Sequence, residues 1–296
     1  MKPLYIWAGG KNKMIPKYEA SPTIPMSGYD TFVESFFGGG AMMIHVYKNN
    51  PTVKKFVIND INPEIIGLYT AIKADVTNFV ARMDVLEAQY LPLDKANRKK
   101  FYYALRTEYT TKWTQWNRTD EAATLYFLMK TGFNGIWQTT KESKGRFATP
   151  SGLLNQTTKC YDKDNVQEWN VFLQKVDIHC GDWTACVPQI EGRAFYFMDP
   201  PYRDSFTQYG QVFDDAAHIK LMDFCKQADL EGHIVFYCNR DAGDTFCTDH
   251  QGQLRIEYYS VTYTAGRRKQ NKDDAGAITS QTAKKARELL LYSPKF

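Results

Sequence analysis

Apolar positions along the chain alternate between two kinds of pattern. Short, nearly continuous runs stand at Phe32-Val33, Phe56-Val57-Ile58, Val176 to Cys180, Ala194 to Met198, Ile234 to Cys238, Ile256 to Tyr263 and Glu288 to Tyr292. Runs of this length, rich in aromatic and β-branched residues, predict buried strands of a mainly parallel sheet. Helical spacing intervenes between them. Pro63 opens one helix, with Ile65, Leu68, Tyr69 and Ile72 on a single stripe, and Leu221, Phe224, Cys225 and Ala228 mark another. Strands alternating with helices predict an α/β fold. From about residue 75 to about 158 helical patterns dominate. The α/β pattern of segment 1–75 returns over 159–296, on either side of this mainly helical stretch at 76–158.

The run Ala194-Phe195-Tyr196-Phe197-Met198 ends in Asp199-Pro200-Pro201-Tyr202. A carboxylate at the carboxyl end of a parallel strand sits where open α/β sheets bind ligands. The two prolines lock φ, remove two backbone donors and keep their carbonyls as acceptors. This predicts a rigid corner with a carboxylate, a carbonyl and an aromatic face, suited to a flat group carrying an NH2.

Two further turns carry chemistry. After Phe32-Val33-Glu34-Ser35-Phe36-Phe37 come Gly38, Gly39 and Gly40, and then a helical pattern. Glycines between strand and helix let backbone N–H groups approach a ligand. About twenty residues on, the next strand ends at Asn59-Asp60-Ile61-Asn62, where an acid commonly holds ribose hydroxyls. Together these predict a cofactor containing adenosine. Asp182 follows another strand and reads as a ligand acid, as the N-cap of a short helix, or as both. Near the start, Trp7-Ala8-Gly9-Gly10-Lys11 is not a phosphate-binding Walker loop. Taken alone, it reads as a turn with a solvated lysine.

Composition narrows the partners. The net charge is only +4, yet residues 91–160 carry twelve Lys or Arg against five Asp or Glu. Phe101, Tyr102, Tyr103, Tyr109, Trp113 and Trp116 are interleaved there, a mixture suited to phosphate contact and base stacking. Within it, Thr131 to Gln138 and Lys144 to Gly152 predict a hairpin or long loop bearing polar readers. Residues 266–274 read as a polar, mobile loop, whose Arg267 and Arg268 either contact phosphate or are simply solvated. Six scattered cysteines without a CxxC pair argue against a zinc site or a disulfide framework. No stretch is long and apolar enough to span a membrane and no secretory pattern opens the chain, so a cytoplasmic protein without a metal is expected.

The ordered set Trp7-Ala8-Gly9-Gly10-Lys11, Phe32 to Gly40, Asn59-Asp60-Ile61-Asn62 and Asp199-Pro200-Pro201-Tyr202 resembles the Dam-like, α-group (D12 class) adenine-specific DNA methyltransferases. Gly-Phe-Asn-Gly at 132–135 and Phe-Ala-Thr-Pro-Ser-Gly at 147–152 are similar to that family's DNA-reading segment. The resemblance covers nearly the whole chain. It implies a Rossmann-like, seven-stranded sheet with a target-recognition domain inserted at 76–158. It also implies S-adenosyl-L-methionine as cofactor, held by Trp7, Gly10, Lys11, Glu34, Phe36, Gly38, Gly40, Asp60, Ile61, Asp182 and Asp199. Asp199 and the Pro200 carbonyl would accept hydrogen bonds from the amine of a flipped adenine, and Tyr202 would stack on it. Asn134, Ile136, Gln138, Arg146, Pro150, Arg267 and Arg268 would contact duplex DNA. A monomer or weak dimer in a bacterial or phage-infected cytoplasm is implied.

Three positions depart from the relatives. Ile6 stands where enzymes reading GATC carry a lysine ahead of the tryptophan, and Gln138 where they carry an arginine. Ser35 replaces a usual proline. Arg and Lys suit guanine whereas Gln suits adenine, so a site other than strict GATC is expected. Asp at 199 distinguishes the chain from cytosine-amine methyltransferases, which usually have Ser, and from protein-glutamine methyltransferases, which have Asn. A catalytically silent DNA-binding or DNA-masking protein is the reading from another class, and the intact Asp199, Tyr202 and Asp60 argue against it.

Overall fold

The computed structural model describes residues 1–7, 9–152, 158–187, 192–203, 213–263, 269–272, 278–282 and 284–294. In chain order the first helix, α1 (Ile15–Ala20), precedes β1 (Thr31–Glu34), α2 (Ala41–Asn49), β2 (Lys55–Asp60) and α3 (Pro63–Ala74). Four helices follow: α4 (Val76–Tyr90), α5 (Lys95–Thr111), α6 (Arg118–Thr131) and α7 (Lys163–Leu173). The α/β alternation resumes with β3 (Val176–Cys180), β4 (Ala194–Met198), α8 (Asp215–Leu230), β5 (Ile234–Arg240) and α9 (Phe246–His250). It ends with β6 (Arg255–Tyr263), β7 (Lys269–Lys272), β8 (Ile278–Thr282) and β9 (Lys284–Tyr292).

Seven strands form one sheet in the order β3-β2-β1-β4-β5-β9-β6. The ladders from β3 to β5 are parallel, and β9 pairs antiparallel with both β5 and β6. The last strand in sequence is therefore not at the edge, and β6 is. β7 and β8 form a separate antiparallel pair. This corrects the expectation of a plain loop at 266–274, since 269–272 is strand. Arg267 and Arg268 lie outside the described residues.

The central strands β1, β4 and β5 are buried on both faces, as their apolar runs require. Along β4 the period-2 alternation sorts the side chains. Phe195 and Phe197 join Phe32, Phe56 and Phe236 in one cluster. Tyr196 and Met198 join Val33, Val235 and Tyr237 in the other, under Leu221, Met222 and Cys225 of α8. Full burial of a side chain of this size contributes roughly 1.5–3 kcal/mol, which is why continuous apolar runs become central strands.

Helix starts are set by local chemistry. Asn62 caps α3, accepting from Glu64 N (2.9 Å) and Ile65 N (3.4 Å), with Pro63 in the first turn. Asp75 ends α3 and caps α4 through Asn78 N (3.1 Å). The hydrophobic core does not break there: Phe79, Met83, Tyr102, Tyr109 and Phe127 share a cluster with Phe32 and Leu68. Tyr102 and Tyr109 are fully buried. Those two rings are core, not surfaces for base stacking. Arg98 is buried as well, with Nη2 donating to Leu91 O (2.5 Å).

Candidate active site

The strand order reverses between β1 and β4, because β2 and β3 lie on one side and β5 on the other. Ligands of open α/β sheets bind at such a switch point, beyond the carboxyl ends of the strands. A cleft of about 370 Å³ lies there. Trp7, Gly10, Lys11, Glu34, Phe36, Gly38, Gly40, Asp60, Ile61, Asp199, Pro200 and Tyr202 line it, so residues far apart in sequence converge. Asp182 is not among its walls. Its carboxylate accepts from Thr184 N (3.1 Å) and Thr184 Oγ1 (2.6 Å), capping the short turn Trp183–Cys186. The structure thus shows the cap, one of two readings of Asp182 that are not exclusive.

Lys11 is the largest departure from the sequence reading of the first motif. It is only 4% exposed, and its Nζ donates to both Asp199 oxygens, at 2.7 and 2.6 Å. Nζ also lies 4.9 Å from the centre of the Tyr202 ring. Burial pushes the Asp199 carboxyl above the usual carboxylate range, and the Lys11 ammonium opposes that shift. The corner is held from behind. Asn239 Oδ1 accepts from Arg203 N (3.2 Å) and Arg240 N (2.8 Å), and the Arg203 guanidinium pairs with Asp215 (2.7 Å) and Asp244 (2.9 Å).

The glycine turn is shaped by aromatic rings. Gly38 has φ +48°, and a Cβ there would lie 2.6 Å from Trp7 Nε1; Gly40 has φ +64°, and its Cβ would lie 2.5 Å from Phe37 Cζ. Both positions thus exclude side chains on conformation and on space. Tyr5 Oη donates to Gly38 O (2.7 Å), fastening the N-terminal segment over the turn. Asp60 accepts from Gly38 N and Asn62 N, both at 2.9 Å, which links the turn to the end of β2. Glu34 is buried and accepts from Met43 N (3.1 Å); burial holds its carboxyl well above the usual range. Sequence reasoning missed two walls of the cleft, Arg240 and Glu288. Register places them opposite one another on β5 and β9. The available signal was a charged residue at the end of each apolar strand. With them the described walls carry four carboxylates (Glu34, Asp60, Asp199, Glu288) and two cations (Lys11, Arg240).

The expected hairpin exists. Gly132 bridges Ser151, Phe133 N donates to Pro150 O (2.9 Å), and Ala148 N donates to Gln138 O (2.7 Å). Asn134 (φ +52°) and Gly135 (φ +62°) form a turn within its first arm, closed by Ile136 N on Phe133 O (3.2 Å), while Gln138 is half-buried and Pro150 exposed. The hairpin abuts the cleft. A Cβ on Gly135 would lie 2.5 Å from Ile6 O, and the Trp7 and Trp137 rings are 6.0 Å apart. Arg146 differs from a phosphate contact. Its guanidinium bonds Glu121 (2.5 Å), approaches Glu64 (3.4 Å), and lies over the Tyr109 and Trp113 rings at 4.4 and 4.5 Å. Its charge is neutralised within the protein, so its observed role is to tie the hairpin down.

Fold and cleft define an α/β protein with a cleft at the switch point of a mainly parallel sheet, the place where such sheets bind ligands. The family model for D12 class N6 adenine-specific DNA methyltransferases matches residues 7–246. The chain belongs to that family and is a DNA adenine methyltransferase, as the ordered motifs led one to expect. It is 29% identical over 260 residues to the type II methyltransferase M.MjaIII of Methanocaldococcus jannaschii, covering 85% of this chain and 89% of that protein. It is 30% identical over 259 residues to the type II methyltransferase M.CviBI of Paramecium bursaria Chlorella virus NC1A, covering 87% and 90%. The DNA adenine methylase of Haemophilus influenzae matches at 25% identity over 247 residues, covering 81% and 80%. Among the described residues no helix is long and apolar enough to cross a membrane, and no group of His, Cys, Asp and Glu side chains is placed to hold a metal ion.

Proposed function

We propose that the chain uses S-adenosyl-L-methionine to methylate the exocyclic amine of an adenine flipped out of duplex DNA, at a site other than strict GATC. The observation that carries this reading is the convergence of the glycine turn, Asp60 and the Asp199 corner on one cleft. Its excess of carboxylates suits a molecule bearing an ammonium and a sulfonium, and Asp60 sits where ribose hydroxyls are held in such sheets. Trp7, Gly10, Lys11, Glu34, Phe36, Gly38, Gly40, Asp60 and Ile61 would hold the cofactor, which when bound supplies a methyl group activated by its sulfonium.

The protein's part is positioning and electrostatics. An adenine amine is a weak nucleophile because its lone pair is delocalised into the ring. Asp199 and the Pro200 carbonyl accept its two hydrogens, draw the nitrogen toward tetrahedral geometry and localise the lone pair. Tyr202 stacks on the base, which must leave the duplex to reach the corner. Lys11 yields at least one Asp199 oxygen as the amine arrives. The unit at 76–158 reads the site through Asn134, Ile136, Gln138 and Pro150. The Gln138 amide matches adenine, and Ile6, 72% exposed beside the hairpin, brings no charge for guanine.

Incubation with methyl-labelled S-adenosyl-L-methionine and DNA tests the reading. Label should enter DNA, and Asp199→Ala should lower the rate by about 10²–10³-fold, as loss of a key transition-state group does, with DNA binding retained. DNA binding without transfer by the unaltered protein would instead indicate a silent binder.

A further inference from the structure

Glu64 has no place in the chemistry above, yet it is a buried carboxylate, 9% exposed, with three partners from elsewhere in the chain. It accepts from Phe147 N at 3.1 Å and from the Tyr109 hydroxyl, and Arg146 Nη2 stands 3.4 Å away. Tyr109 belongs to α5, and Phe147 and Arg146 to the returning arm of the hairpin. Glu64 itself lies in the first turn of α3, and its own N–H donates to Asn62 Oδ1 (2.9 Å). Asn62 N in turn donates to Asp60, whose other oxygen holds Gly38 N. Hydrogen bonds and the chain from Asp60 to Glu64 thus connect the glycine turn of the cleft to the hairpin. A carboxylate in this position has a steep dependence on its partners, because a buried charge or acceptor left unpaired is strongly disfavoured. A shift of Asp60 would be passed toward Phe147 and Arg146 along these contacts.

We propose that Glu64 is a positioning residue that couples occupancy of the cleft to the setting of the hairpin. This rests on the reading that the cleft binds the methyl donor and the hairpin reads DNA. Coupling is reciprocal, so DNA at the hairpin tightens the cleft by the same factor. The contact of Trp7 with Trp137 is a second bridge between the two regions, and it does not pass through Glu64.

Amide hydrogen exchange on the full chain, with and without S-adenosylhomocysteine as probe, tests the assignment. In the unaltered protein the probe should slow exchange at Phe133, Phe147, Ala148 and Gly152 by about fivefold or more, the low end of ordinary coupling. Glu64→Gln should bind the probe with a calorimetric Kd within about twofold of the unaltered protein, while the slowing falls below about twofold. A purely structural role would raise exchange equally in both states and leave the ratio intact, which overturns the proposal, as does absence of slowing in the unaltered protein. Should Glu64→Gln fail to fold, Tyr109→Phe decides: its ratio falls by about twofold or more, or the proposal is wrong. Failure of the unaltered protein to bind the probe would instead overturn the functional reading, and the coupling with it.

Discussion

Lys11 Nζ bonds both carboxylate oxygens of Asp199, from a segment 188 residues away in sequence. On the proposed reading, the ammonium occupies the acceptors that the target amine would need and sits over the ring on which the base would stack. The same ammonium opposes, without cancelling, the rise that burial imposes on the Asp199 carboxyl. Activity should therefore rise with pH as Asp199 loses its proton, because only the carboxylate form accepts from an amine. In Lys11→Gln the opposing charge is gone, so the acid limb of the kcat/KM profile should move to higher pH. An unmoved limb would show that the limb belongs to another group.

Glu34 gives a stability prediction. Burial raises its pKa in the folded state, so above the ordinary carboxylate pKa the unfolded chain has released a proton that the folded chain retains. Stability contributed by this group is full at low pH and is lost as pH rises toward the raised folded value. Glu34→Gln should remove that part of the loss, raising Tm by roughly a few degrees at pH 8 and less at pH 5, while weakening S-adenosylhomocysteine binding. Equal Tm changes at both pH values would contradict the assignment.

The turn at Gly40 should tolerate no side chain. Gly40→Ala would force a Cβ against Phe37 at a positive φ. Strain and overpacking of this kind cost about 1–3 kcal/mol each. Denaturant unfolding should show a loss in that range, and a loss below about 0.5 kcal/mol, the usual surface value, would mean that the ring simply moves aside.

Gln138 should govern the address and not the chemistry. Gln138→Ala should change discrimination among target sites by about 1–3 kcal/mol at one base position, the usual weight of a bidentate side-chain contact, with the Kd for S-adenosylhomocysteine unchanged. A change confined to cofactor affinity would remove Gln138 from the readers.

The strand ends were legible because an apolar run stopping at an acid is a local pattern. Asp60 and Asp199 stand out in this way, and both line the cleft. Lys11 was legible only through the family resemblance, since the residues around it describe a solvated turn and its burial comes from packing against β4's end. Arg146 misled for a related reason. A basic residue in a polar loop looks free until the two carboxylates and two rings that enclose it, contributed by α3, α5 and α6 and the turn after α5, are brought together. The place of β9 between β5 and β6 was likewise out of reach, because apolar content marks a strand but does not name its neighbours.

The central claim is that the Asp199 corner methylates an adenine amine at an address set by the hairpin. Sequencing that detects methylated bases, applied to unmodified DNA treated with the purified protein and S-adenosyl-L-methionine, tests it most directly. The account predicts N6-methyladenine at one recurring sequence that is not confined to GATC. Modification of GATC alone would contradict the reading of Ile6 and Gln138, and methylation of cytosine, or of no base, would contradict the reading of the corner itself.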